Sequence, residues 1–118
     1  MTLSELSDKL AKYLILSDIP RSVAYTLVYI RDKDEVTSVE IERETGLRQP
    51  EVSVAMQWLR RKSWITKRNL KREGKGRPIH GYKLSKNFNE ILDEIIQTQA
   101  NKINEINENI SRIKGFRV

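Results

Sequence analysis

The sequence has no cysteine, which removes disulfide frameworks, thiolate zinc sites and thiol nucleophiles together and leaves the redox compartment open. Histidine occurs once, at His80, and a metal site needs several ligands, so no metal is expected and His80 reads as a surface contact or an exposed side chain. No glycine-rich loop opens a helix, and no nucleophile, base and orienting acid can be assembled around one histidine. The carboxylates sit mostly at helix starts and on solvent faces, where capping accounts for them. The chain therefore reads as a non-enzyme without a cofactor. No apolar run approaches the length of a membrane span, and Met1 to Leu10 lacks the basic start and apolar run of a signal peptide. A cytoplasmic location is the expectation. Glycine and proline are few, at 5 and 3 residues, and there is no internal repeat or low-complexity linker.

What is present is charge and helical periodicity. A chain of 118 residues, 38% hydrophobic and 32% charged, holds one compact domain and a short oligomerisation element, with no room for a second ligand-binding or catalytic domain. The net charge of +6 favours a polyanionic partner only weakly by itself. Its distribution says more. Between Trp58 and Lys83 there are ten basic residues against one acidic residue, Glu73, so the rest of the chain is net acidic. A long basic stretch is often a solvated face, but this one falls on a helix end and an expected hairpin, which points to nucleic acid.

Leu3, Leu6, Leu10 and Leu14 recur at spacings of three and four and predict an amphipathic helix over residues 3–16. Ser17, Asp18 and Pro20 break it, and a second helix is expected over 20–31 with Val23, Ala24, Leu27, Val28 and Ile30 inward. Tyr25 and Tyr29 share one face there, suited to packing on a flanking helix. Thr37-Ser38-Val39-Glu40 has the form of a capping box, and Gly46 suits a left-handed helix stop, so a helix of about two turns lies between them. Leu47 is the expected buried pivot. Gln49-Pro50-Glu51 opens a further helix through Arg61 with Val52, Met56 and Leu59 inward. A short helix, a tight turn and a longer helix make a helix-turn-helix, closed into a three-helix core by the helix at 20–31. Trp64-Ile65-Thr66 and Ile79 to Leu84 predict two strands around the loop Arg72 to Pro78. Trp58 and Trp64 lie among apolar neighbours and read as packing residues. Ser85 is placed to cap a last long helix, where Leu92, Ile96, Ile103, Ile106, Ile110 and Ile113 follow a heptad seam interrupted at Gln99.

The expected fold is thus mainly α with a small β-hairpin wing: a winged helix-turn-helix with flanking N- and C-terminal dimerisation helices. The expected divisions are an N-terminal helix over 1–19, the DNA-binding domain over 20–84 and the long helix over 85–118. Residues 20–84 resemble the winged helix-turn-helix domains of prokaryotic transcriptional regulators of the MarR, ArsR and TrmB-like groups. The resemblance is carried by Thr37 to Leu47, by Gln49-Pro50-Glu51-Val52-Ser53, by Leu59 to Ile65, and by Gly76-Arg77-Pro78 with Tyr82 to Ser85, a little over half of the chain. It implies a dimer built by the flanking helices. Two departures stand out: Arg48 replaces the small capping residue before the recognition helix, and the Cys and His ligands of metal-sensing members are missing.

A recognition helix must turn short or hydrogen-bonding side chains to the major groove, where base pairs show distinguishable donor and acceptor patterns. Opposite Val52, Met56 and Leu59 stand Gln49, Glu51, Ser53, Val54 and Gln57, the expected base contacts. Arg48, Arg60, Lys67, Arg68, Lys75 and Arg77 suit phosphate or, in the wing, the narrow minor groove. Leu3, Leu6, Leu10, Ile96, Ile103, Ile106, Ile110 and Ile113 are the expected dimer contacts. The partners expected are double-stranded DNA and a second copy of the chain, without a membrane; a dimer interface could shelter a small-molecule effector, but no residue specifies one. The alternatives are a winged-helix protein-interaction module and a non-specific architectural DNA binder, the latter set apart by steep salt dependence.

Overall fold

The computed structural model describes residues 3–70 and 79–118. Its elements run α1 (Leu3–Leu16), α2 (Arg21–Ile30), β1 (Val36–Thr37), α3 (Ser38–Thr45), α4 (Gln49–Arg61), β2 (Ile65–Leu70), β3 (Ile79–Leu84) and α5 (Phe88–Lys114). Two units divide the chain, one reaching Phe88 and one from Asn89 to Val118. Among the described residues no helix is long and apolar enough to cross a membrane.

In the first unit, α2, α3 and α4 pack on one another. Their contributions are Val23, Ala24, Leu27, Val28 and Ile30 from α2, Ile41 from α3, and Val52, Ala55, Met56 and Leu59 from α4, all buried. Each large aliphatic side chain removed from water this way stabilises the fold by roughly 1.5–3 kcal/mol. Val36, Trp64, Ile65 and Tyr82 are buried with them, which ties the sheet region into the core. Trp58 meets Trp64 edge-on, with ring centroids 5.5 Å apart, the packing role read for both. α1 packs against α2. Within it Ala11 and Leu14 are buried, whereas Leu6 is exposed and Leu10 half-buried. Tyr25 on α2 donates to Asp8 of α1 across 3.1 Å, and Asp8 also pairs with Lys12.

Local signals explain the helix ends. The amide of Glu40 donates to the Thr37 hydroxyl over 3.3 Å, which is half of the expected capping box. The other half is absent, because Thr37 also ends β1 and the Glu40 carboxylate accepts from the Thr37 hydroxyl instead. Gly46 stops α3 at φ 75°, and Leu47 is buried. α1 and α4 end with non-glycine residues in the left-handed region, Asp18 at φ 69° and Ser63 at φ 61°. In both cases the next residue's amide reaches back five positions, Ile19 to the carbonyl of Leu14 and Trp64 to that of Leu59, so these are Schellman closures.

The wing is a three-stranded sheet in the order β1-β3-β2, rather than the two-stranded hairpin that periodicity suggests. β1 is only two residues long and too short to show alternation; Val36 lies opposite Tyr82 and Thr37 opposite Gly81. β2 and β3 pair from Ile65 opposite Leu84 to Leu70 opposite Ile79. Ser85 does not cap the last helix. Its amide donates to the carbonyl of Trp64 and its hydroxyl to that of Ser63, closing the hairpin base, and α5 begins three residues later.

Thr26 is fully buried in α2, and its hydroxyl has no hydrogen-bond partner among the described residues. A buried hydroxyl without a partner costs its desolvation in full, while an apolar group of the same shape does not. Thr26→Val is therefore expected to raise unfolding stability by about 1 kcal/mol in chemical denaturation. A loss of similar size would mean that the hydroxyl is bonded in solution.

Candidate nucleic-acid interface

α4 starts without a side-chain oxygen at its N-cap, because a guanidinium cannot accept a hydrogen bond. The Glu51 carboxylate compensates: it accepts from the Arg48 backbone amide over 3.1 Å, and its second oxygen lies 3.9 Å from Arg21 at the start of α2. Glu51, expected to face a base, is thus committed to closing the helix start and is half-buried. Gln49, Ser53, Val54 and Gln57 are exposed, as their position opposite Val52, Met56 and Leu59 requires.

Three of these exposed residues converge. Gln49, Ser53 and Gln57, spaced four apart on α4, line a groove of about 190 Å³ together with Ser38, Arg60, Lys67 and Tyr82, over a floor that includes Val52 and Met56. Arg60 comes from the last turn of α4 and Lys67 from β2, so two exposed cations from different elements border one row of amide and hydroxyl groups. Val54 is exposed but outside this groove. Arg48 is exposed at the opposite end of α4 from Arg60. Lys75 and Arg77, expected among the wing contacts, lie outside the described residues.

Arg68 behaves differently from Lys67. Successive strand residues point to opposite faces; Lys67 lines the groove beside α4, so Arg68 points away from it. There its guanidinium forms a two-pronged ion pair with Glu35, Nε to Oε2 at 2.6 Å and Nη2 to Oε1 at 2.8 Å. Glu35 precedes β1, and its side chain crosses the middle strand at Gly81, directly opposite Arg68. A Cβ on Gly81 would stand 2.8 Å from the Glu35 Cδ, so a bare backbone is what lets the carboxylate through. The structure therefore does not bring Arg68 to the surface shared by Lys67 and Arg60; it ties β2 to the start of β1. A glycine inside the apolar pattern Ile79 to Leu84 was the available signal, since it marks a close approach.

The Arg68 guanidinium, bonded to Glu35, holds that carboxyl below its ordinary value of 4.5. A carboxyl lowered on folding adds stability above its unfolded value and loses it as the pH falls through the folded one. Wild-type and Glu35→Gln proteins should therefore differ in Tm near neutral pH and converge as the pH falls below 4.5. A difference that persists unchanged into acid would assign the effect to packing on Gly81.

His80 is half-buried, opposite Asn69 on β2, and its Nδ1 has no partner among the described residues. No cluster of three or more metal-ligating side chains occurs among those residues.

A core of α2, α3 and α4 with a small antiparallel sheet of β1, β3 and β2 beside it, and α3 and α4 joined by a tight glycine turn, defines a winged helix-turn-helix protein. Solved structures sharing this fold include a possible transcriptional regulator from Methanosarcina mazei Go1, at 13% identity and TM-score 0.59 over 92% of this chain and 88% of that one. MepR, a transcription regulator of the Staphylococcus aureus multidrug efflux pump MepA, matches at 20% identity and TM-score 0.51 over 98% of both chains. A mutant MarR from E. coli complexed with operator DNA matches at 22% identity and TM-score 0.53, over 80% of this chain and 66% of that one. No family model and no curated protein sequence matches the chain, so the likeness is one of fold.

Proposed function

We propose that the protein is a sequence-specific, double-stranded DNA-binding transcriptional regulator acting as a homodimer, with α4 in the major groove and the basic wing on the backbone or minor groove. The observation that carries this reading is the row Gln49, Ser53 and Gln57 bordered by Arg60 and Lys67: groups able to pair with base edges, flanked by cations suited to phosphate. The likeness to a MarR bound to operator DNA supports it. Glu51, held at the helix start, is left out of the base-reading set; Val54 remains in it as an apolar contact for a thymine methyl. Arg48, Lys75 and Arg77 complete the backbone contacts, and Leu3, Leu6, Leu10 and the α5 isoleucines from Ile96 to Ile113 supply the dimer interface.

Purified protein mixed with fragmented genomic DNA at near-physiological salt should recover a few promoter fragments sharing an inverted repeat. Uniform recovery that vanishes with modest added salt would make it an architectural binder, and no recovery would make it a protein-interaction module. On the recovered site, Gln57→Ala should cost about 1–3 kcal/mol of discrimination at one base pair per half-site while leaving the salt slope unchanged. Equal weakening on all sequences would place Gln57 on the backbone.

A further inference from the structure

α5 runs 27 residues from Phe88 to Lys114. Ile91 and Ile95 are buried within it, but every residue from Asn101 to Val118 is exposed. The exposed part is not polar all round. Ile96, Ile103, Ile106, Ile110 and Ile113 are each 44–70% exposed, and their steps of seven, three, four and three residues place Ile96, Ile103 and Ile110 at heptad position a and Ile106 and Ile113 at d, with Gln99 the polar member at d. A seam of this kind exists to be covered by another helix.

We propose that this face is covered by the α5 of a second copy in antiparallel orientation, with Ile96 against Ile113 of the partner subunit and Ile103 against Ile106 of the partner subunit. The proposal rests on the homodimer reading above and adds its geometry. Charge selects the direction. Between Phe88 and Asn101 lie Glu90, Asp93 and Glu94 and no basic residue; between Ile110 and Val118 lie Arg112, Lys114 and Arg117 and no acidic one. A parallel pair would bring each block against its own copy and align the helix dipoles, whereas an antiparallel pair brings opposite charges and opposite dipole ends together. Asp93 then flanks the seam beside Lys114 of the partner subunit. Side-chain shape agrees, because isoleucine at both a and d shifts parallel coils away from two strands, while an antiparallel pair sets each a residue against a d residue. Gln99 falls opposite Ile110 of the partner subunit, one layer in from each end.

The full chain has no cysteine, so Ile96→Cys and Ile113→Cys each introduce a sole thiol. After subunit exchange and mild oxidation, antiparallel pairing gives a disulfide between the two variants and none within either variant alone. Cross-linking of each variant to itself would overturn the proposal in favour of a parallel pair, and no cross-link in any mixture would overturn it in favour of a face covered by something else. A charge swap checks the result without touching the seam: Asp93→Lys or Lys114→Asp should weaken self-association about tenfold, and the double variant should recover it. No recovery would also count against the pairing. DNA binding is read separately, since a cross-linked pair that fails to bind DNA would sink the regulator reading and leave the pairing intact.

Discussion

A variant carrying both Ile103→Asp and Ile110→Asp should be a folded monomer that binds its operator about a hundredfold more weakly than wild type. Ile103 and Ile110 are 59% and 44% exposed, so aspartate at either position meets water in the monomer and leaves the core of the first unit untouched. The cost within the subunit is limited to helix propensity, a few tenths of a kcal/mol per site. In a dimer the same changes bring four carboxylates into an apolar seam, where an unpaired buried charge costs several kcal/mol, and the pair should separate. DNA affinity falls because a dimer links two half-site contacts at high effective concentration and a monomer has one. Sedimentation, thermal denaturation followed by circular dichroism, and anisotropy titration of the recovered site check the three parts. An unchanged dimer would refute the interface; a monomer with unchanged DNA affinity would refute the need for two subunits.

Elements whose cause is local were readable from the sequence. The Thr37 cap, the Gly46 stop and the apolar spacing of Val52, Met56 and Leu59 act within a turn or two, and α3 and α4 fall where those signals put them. The exposed row Gln49, Ser53 and Gln57 follows from the same periodicity. What was not readable joins distant positions. β1 has two residues and is defined only by pairing with β3, some forty-five positions later. The Glu35–Arg68 pair spans 33 positions and depends on the absence of a side chain at Gly81, so composition alone made Arg68 look like one more DNA-facing cation. Glu51 is a related case: its outward position on α4 suggests a base contact, but the missing cap oxygen at Arg48 draws its carboxylate back to the helix start. In the last two cases a charged group is claimed by a neighbour within the protein that one-dimensional periodicity does not reveal. On α5 the heptad spacing gave the exposed isoleucines directly, but it did not indicate that Ile91 and Ile95 would be the buried pair.

Removing the two cations that border the α4 groove, and so four from the dimer, should weaken binding to every DNA sequence by about a thousandfold at physiological salt. Arg60 and Lys67 are both exposed and reach the same groove from a helix end and a strand, a placement that suits two phosphates flanking the bases read by Gln49, Ser53 and Gln57. Each phosphate neutralised releases condensed counterions, so log K falls with log salt at a slope near −0.9 per contact. Arg60→Ala combined with Lys67→Ala removes two such contacts from each subunit of the dimer, and should therefore make the slope shallower by about three to four units and leave the preference between specific and random DNA unchanged. Stability should change little, because neither side chain is buried. Arg68→Ala provides the internal comparison: with its guanidinium held by Glu35 on the other face of the sheet, it should leave the slope as in wild type and lower the Tm instead. A shallower slope for Arg68→Ala, or an unaltered one for the double variant, would mean that DNA approaches the opposite face of the sheet from the one that α4 and Lys67 define.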